Sequence, residues 1–68
     1  MSPTPKCLLL IIRQHSSRLW RWALVEPNQE GQETGRGFAR SILEARNAAH
    51  RYSSLIWPGV PVIERQGN

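Results

Sequence analysis

A chain of 68 residues has room for one small domain with a thin core, which leaves little space for a deep catalytic pocket. Nine basic residues, eight of them arginine, stand against five glutamates and no aspartate, for a formal net charge of +4. Because Cys7 is the one cysteine and the two histidines are far apart, the sequence excludes an internal disulfide and offers no metal-ligand spacing, so no metal or cofactor is expected.

The first predicted strand is the apolar run from Cys7 to about Arg13. Its apolar residues do not alternate with polar ones, so we expect both of its faces to be covered. The run is too short to span a bilayer, and the residues after it do not resemble a signal-peptide cleavage site. We therefore expect a cytoplasmic protein with no membrane partner, whose termini, residues 1–6 and 66–68, are flexible.

The second predicted strand, Leu19 to Glu26, is expected to form the base of the core. Alternation along a strand places Trp20, Trp22 and Leu24 on one face, and each indole can bury about 200 Å². The polar stretch 14–18 before this strand has the length of a hairpin loop, and a proline–asparagine pair after it indicates a turn.

A third strand is predicted from about Gln32 to Phe38, and Phe38 is expected to complete the aromatic cluster. Gly35 and Gly37 within it indicate a bulge or a close backbone approach. The stretch 31–37 is glycine-rich, but it lacks the lysine and serine or threonine that end a phosphate-binding loop. Nucleotide binding is therefore not expected.

The helix is predicted to begin at Ser41, because Glu44 follows at the spacing of a capping box. Apolar residues then recur at helical spacing, and we expect this stripe to pack on the face of the tryptophans: Ile42, Ala45, Ala49, Tyr52 and Ile56. The residues expected to point to solvent are Leu43, Arg46, Asn47, His50 and Arg51.

The helix should end at Trp57–Gly59, since the residue before a proline disfavours helical geometry. The apolar segment Val60 to Glu64 is then predicted to form a sheet edge or a packed tail that covers part of the second sheet face. Residues 1–68 are therefore predicted to be one α+β domain, in which a three-stranded antiparallel β-sheet packs on one α-helix in the order βββα. A short C-terminal β-strand is compatible with this arrangement.

The residues of an active site are mostly missing. His15 and His50 are the only side chains that normally titrate near neutral pH, and the chain has no aspartate to orient either of them in a triad. We therefore expect a protein that is not an enzyme and has no small-molecule substrate.

The arginines are the main functional signal. A guanidinium suits phosphates and carboxylates and stacks on base planes, which favours nucleic acid or an acidic protein surface as the partner. Arg21 and, depending on the register, Arg13 and Arg36 would line the sheet face opposite the helix, and such a sheet can lie in a DNA groove. The candidate nucleic-acid contacts are Arg21, Arg36, Arg40, Arg46 and Arg51.

The same sheet face also suggests an alternative. It would hold Ala23 and Val25 together with one of two apolar sets, either Leu9 and Ile11 or Leu8, Leu10 and Ile12. An apolar face fits protein contact better than groove reading. The alternative is a protein-interaction module, either a homodimer or a phage-type accessory or inhibitor protein. The net charge is equally compatible with a merely solubilising surface.

Between Leu19 and Tyr52, the stretches RWALVEPN, GRGFA and SILEARNAAHRY resemble small βββα domains of two groups. One is the bacterial YegP-type family of unknown function, which the WRW run and Gly37–Phe38 resemble. The other, more distant, comprises the ethylene-response-factor DNA-binding domain of plants and the related arm-binding domains of tyrosine integrases. The second resemblance implies a sheet that enters the DNA major groove.

Overall fold

The computed structural model describes residues 4–65, apart from the side chains of residues 29–31. Along this part of the chain the elements follow in the order β1 (Leu8–Ser16), β2 (Leu19–Glu26), β3 (Gln29–Ala39), α1 (Ile42–Ile56) and β4 (Val62–Arg65). The α+β class and the order βββα are therefore confirmed. The flexibility predicted for residues 1–3 and 66–68 lies outside the described residues.

The sheet has four strands in the order β3-β2-β1-β4 and is mixed. β1 and β2 pair antiparallel, as do β2 and β3, whereas β4 pairs parallel with β1. The antiparallel arrangement predicted for the first three strands is confirmed, and β4 is the short C-terminal strand that the sequence allowed, but its parallel pairing means that the sheet is not purely antiparallel as predicted. The Leu8 N–H donates to the Pro61 carbonyl oxygen at 2.9 Å, which draws the C-terminal segment alongside β1 as an edge strand. That segment therefore extends the sheet and does not cover its second face.

The core lies between the sheet and α1. Leu8, Leu10 and Leu24 are fully buried there, and Trp22 is 5% exposed. Trp20 is half-buried and packs against the same cluster, so the predicted face of β2 is confirmed. Complete burial of one leucine side chain contributes about 1.5–3 kcal/mol, and a core this small depends on few such side chains.

Helix α1 begins and ends where the sequence predicts. The Ser41 hydroxyl accepts a hydrogen bond from the Glu44 N–H at 3.1 Å, and the Glu44 carboxylate accepts one from the Arg40 N–H, also at 3.1 Å. The helix ends at Ile56, directly before Trp57. Gly59, with φ 86°, then closes the turn in which the Val60 N–H donates to the Trp57 carbonyl oxygen.

The buried stripe of α1 is shorter than predicted. Ala45 and Ala49 are fully buried and belong to the core cluster with Trp22, which confirms the middle of the predicted stripe. Ile42 and Ile56, at the two ends of the predicted stripe, are exposed. A straight helix contacts a twisted sheet best at its middle turns, so its ends diverge from the surface below. Ser53 is buried one turn after Ala49 instead.

Two glycines of β3 lie close to large rings. A Cβ atom at Gly37 would lie 2.8 Å from Nε1 and Cζ2 of Trp22, and one at Gly35 would overlap the ring of Tyr52. The rings of Trp22 and Tyr52 are themselves 5.8 Å apart between centroids. The predicted close backbone approach is confirmed at both glycines.

Gly37→Ala is expected to lower the free energy of unfolding by about 1–3 kcal/mol, because the buried indole of Trp22 would have to shift to admit the added Cβ atom. At an unobstructed strand position the same change stabilises, since glycine loses more backbone entropy on folding. Chemical denaturation followed by tryptophan fluorescence measures the effect.

Trp22→Phe provides the control for this prediction. It removes the atoms that a Cβ at Gly37 would meet. Gly37→Ala should therefore lower the free energy of unfolding by less in the Trp22→Phe background than in the wild type. An equal cost in both backgrounds would show that Trp22 is not the obstacle.

Candidate nucleic-acid interface

The two faces of the sheet differ in what covers them. Helix α1 packs on one face, and no helix or strand within residues 4–65 lies over the other. We call the second one the open face, and the cross-strand register assigns its side chains from β1, β2 and β3: Leu9, Ile11, Arg13, Arg21, Ala23, Val25, Glu33, Arg36 and Phe38. Its β1 members are therefore Leu9 and Ile11, the first of the two apolar sets that the sequence allowed.

The register also brings the arginines of three strands together. Arg13 of β1 lies opposite Arg21 of β2, which in turn lies opposite Phe38 of β3. Ala23, two residues after Arg21 on the same face of β2, lies opposite Arg36 of β3. Arg13 and Arg36 are exposed. Arg13, Arg21 and Arg36 thus share the open face, as predicted for one of the possible registers.

Apolar residues at the centre of the open face are buried although no helix or strand of the described part of the chain covers them. Ala23 is 3% exposed and Val25 is 2% exposed. Arg21 forms an ion pair with Glu33 at 2.6 Å, and Glu33 lies opposite Val25, so this bridge passes over the intervening Ala23. Long charged side chains therefore cover the apolar centre with their stems and leave their charged groups at the surface.

Glu33 interacts with two arginines of the open face. Its Oε1 accepts a hydrogen bond from Arg21 Nη2 and lies 3.8 Å from Arg36 Nη1. The hydrogen bond from Arg21 lowers the pKa of the Glu33 carboxyl below its usual value and raises the pKa of Arg21. One carboxylate thus partly neutralises two guanidinium groups.

A bulge makes this arrangement possible. Leu24 pairs with Gly35 and Val25 with Glu33, so Thr34 is an extra residue in β3. In a regular strand, residues three apart point to opposite faces, but the bulge turns Glu33 to the side of Arg36. Two hydrogen bonds hold Thr34 in place: its hydroxyl donates to the Leu24 carbonyl oxygen, and its own carbonyl oxygen accepts from the Tyr52 hydroxyl, both at 3.1 Å. The bulge predicted from the β3 glycines is confirmed.

Further basic residues lie at the end of the sheet where β1 turns into β2. Arg18 of this turn and Arg40, which follows β3, line one shallow depression together with Ser17 and Leu19. Both arginines are exposed, and neither guanidinium is within ion-pair distance of a carboxylate in the described part of the chain. The positive charge of the open face therefore continues at this end.

Arg46 and Arg51, the other two predicted contacts, do not lie on the open face. Both belong to α1, on the other side of the sheet. Arg46 makes two hydrogen bonds to Glu64, at 2.5 Å from Nε and 3.0 Å from Nη2, and so joins the helix to β4. Arg51 lines a groove between α1 and β3. The five predicted arginines thus fall on separate surfaces, with Arg21 and Arg36 on the open face and Arg40 at its end.

Phe38 belongs to the open face and His15 lies against it, and the sequence did not indicate either of them as part of a site. Phe38 was expected in the core, but it is exposed and lies against His15, with ring centroids 5.2 Å apart in an edge-to-face arrangement. Gly37 pairs with Trp22 on the helix side, so its neighbour Phe38 must point to the other side. A second irregularity, between Gln14 and Ser16, places His15 in an extra position of β1.

Comparisons with family models, curated proteins and solved structures find no match to this chain. The resemblance to YegP-type and ethylene-response-factor-type domains therefore stays a prediction. No helix within residues 4–65 has the length and apolar character needed to cross a membrane.

Glu64→Gln is expected to lower the melting temperature at pH 7 but to have little effect in acid. The hydrogen bond from Arg46 lowers the pKa of Glu64 in the folded state. The stability that this pair contributes is therefore present above the unfolded-state pKa, about 4.3, and is lost as the pH falls through the lower folded-state pKa.

Thermal melts of the wild type and of Glu64→Gln, from pH 7 down to pH values below about 4, measure how the difference in melting temperature depends on pH. Glu26→Gln, at a carboxylate without an ion pair among the described residues, controls for the loss of one negative charge. A difference in melting temperature between the wild type and Glu64→Gln that stays constant with pH would contradict a role for the ionised pair.

Proposed function

We propose that this protein is a non-enzymatic module that binds nucleic acid, with DNA as the ligand, through the open face of its sheet. The observation that carries the proposal is the shared orientation of Arg13, Arg21 and Arg36, which the pairing of three adjacent strands determines. Guanidinium groups donate several hydrogen bonds in a planar fork, which suits phosphate oxygens and base edges.

The charge of this surface supports an anionic ligand. Among the described side chains that β1, β2 and β3 direct to the open face, three are arginines and one, Glu33, is acidic. Arg18 and Arg40 add positive charge at the adjoining end of the sheet. Binding to phosphates releases counterions, so a ligand of this kind should bind more weakly as salt increases.

The part of the four-stranded sheet that carries the arginines is comparable in width to the major groove of duplex DNA. Neighbouring strands lie about 4.8 Å apart, so the three arginine-bearing strands span about 10 Å between their outer axes. The major groove of B-form DNA is about 12 Å wide and admits a β-ribbon. Helix α1 lies on the other side of the sheet and does not obstruct this approach.

Arg13→Glu is expected to weaken DNA binding about tenfold or more and to reduce the slope of log K against log salt by about one unit. Lys6→Glu makes the same charge change at an exposed lysine before β1, at the other end of the sheet from Arg13, and we expect its effect to be small at physiological salt, where screening limits distant charges. Fluorescence anisotropy with a labelled duplex over a salt series measures both. Equal losses of DNA affinity in the two variants would mean that binding depends on the net charge of the protein and not on the open face.

Glu33→Gln is expected to strengthen DNA binding. It removes the carboxylate that repels phosphates at the centre of the basic surface, and it releases Arg21 from its ion pair. The cost in stability should be small, because an exposed ion pair is worth about 0–1 kcal/mol. Weaker binding by a variant that melts like the wild type would show that Glu33 orients Arg21 for the ligand and does not compete with it.

The alternative, a protein-interaction module, has one observation in its favour. Ile63 of β4 is 52% exposed and lies opposite Leu9 on the open face, which leaves apolar surface there for a partner chain or a second copy to cover. An apolar interface resists salt, whereas phosphate binding weakens steeply. Sedimentation velocity at low and high salt, with and without DNA, separates the two functions.

A further inference from the structure

An exposed aromatic pair lies at one end of the open face. Phe38 of β3 is 55% exposed, although phenylalanine is usually buried in a core. His15 reaches it from β1, and the planes of the two rings meet at 68° with their centroids 5.2 Å apart. An edge-to-face contact covers at most one face of a ring, so Phe38 retains apolar ring surface in contact with water.

The surroundings of this pair are basic. Arg21 lies directly opposite Phe38 in the register, and Arg13 lies opposite Arg21. Arg13 has no ion pair with a carboxylate in the described part of the chain, so its guanidinium is available to a ligand. A flat apolar ring thus stands beside cationic groups on the same sheet face. This combination matches a nucleotide, which has a flat base joined to an anionic phosphate.

We infer that the open face holds an unpaired nucleobase stacked on Phe38, with the flanking phosphates bound by Arg21 and Arg13. The inference rests on the proposed function and adds single-stranded nucleic acid as a second ligand of the same face. In an intact duplex the neighbouring base pairs cover both faces of every base, so a side-chain ring can stack only on a base that has left the helix.

His15 has a positioning role in this arrangement. Its ring packs edge to face against Phe38, and a ring contact of this kind favours one orientation of the phenyl group over others. A ring held in one orientation loses less conformational freedom when a base stacks on it. Since every base has a π-face, stacking of this kind tolerates many sequences. Little base preference is therefore expected at this position.

Phe38→Ala tests the inference against Phe38→Tyr, which keeps the aromatic ring. Fluorescence anisotropy compares a labelled single strand with the duplex of the same sequence at equal salt. Phe38→Ala should weaken single-strand binding by about 5- to 100-fold and change duplex binding less than about twofold, whereas Phe38→Tyr should retain both. A 2-aminopurine in the single strand should lose fluorescence on stacking with the wild type and with Phe38→Tyr, but not with Phe38→Ala.

The outcomes separate the stacking inference from the proposed function. If Phe38→Ala lost equal affinity for the single strand and the duplex, or kept its full affinity for the single strand, stacking would be overturned. DNA binding by the open face would remain intact. A wild type that binds neither nucleic acid would overturn both. Thermal melts check that each variant folds, and Phe38→Leu, which keeps apolar volume without a π-face, replaces Phe38→Ala if that variant is unstable. Phe38→Leu should lose single-strand affinity in the same way.

Discussion

The close packing of Trp22 is the contact on which the rest of the structure depends. Its indole lies in one cluster with Ala45 and Ala49 of α1, and it leaves no room for a side chain at Gly37 of β3. Because side chains alternate along a strand, burial of Trp22 under the helix sends its neighbour Arg21 to the opposite face. The composition of the open face therefore follows from how the core is packed, and the two cannot change independently.

Much of this arrangement could be predicted from local features of the sequence. Alternation along β2 places its tryptophans under the helix, the Ser41–Glu44 spacing marks the helix start, and a proline and a glycine mark its end. These signals depend on contacts between residues close together in the chain. The parallel pairing of β4 with β1 depends on partners far apart in the chain, and no local pattern indicates it.

The candidate site was harder to predict, because register decides it. One extra residue at Thr34 turns Glu33 toward Arg36, and the contact of His15 with Phe38 joins residues of two strands that do not pair with each other. A shift of one residue moves every later side chain of a strand to the other face, so an unrecognised bulge changes the predicted surface. Arg46 was assigned to the site from its charge alone, whereas its role in the fold is to join α1 to Glu64 of β4.

The two sides of the sheet have different roles in our proposal: the helix side stabilises the fold, and the open face binds the ligand. NMR of the arginine Nε–Hε signals during titration with an oligonucleotide tests this division most directly, because it observes each guanidinium separately. We expect the signals of Arg13, Arg21 and Arg36 to shift with added ligand while that of Arg46, which is paired with Glu64, stays in place. Shifts confined to the helix arginines, or no shifts at all, would contradict it.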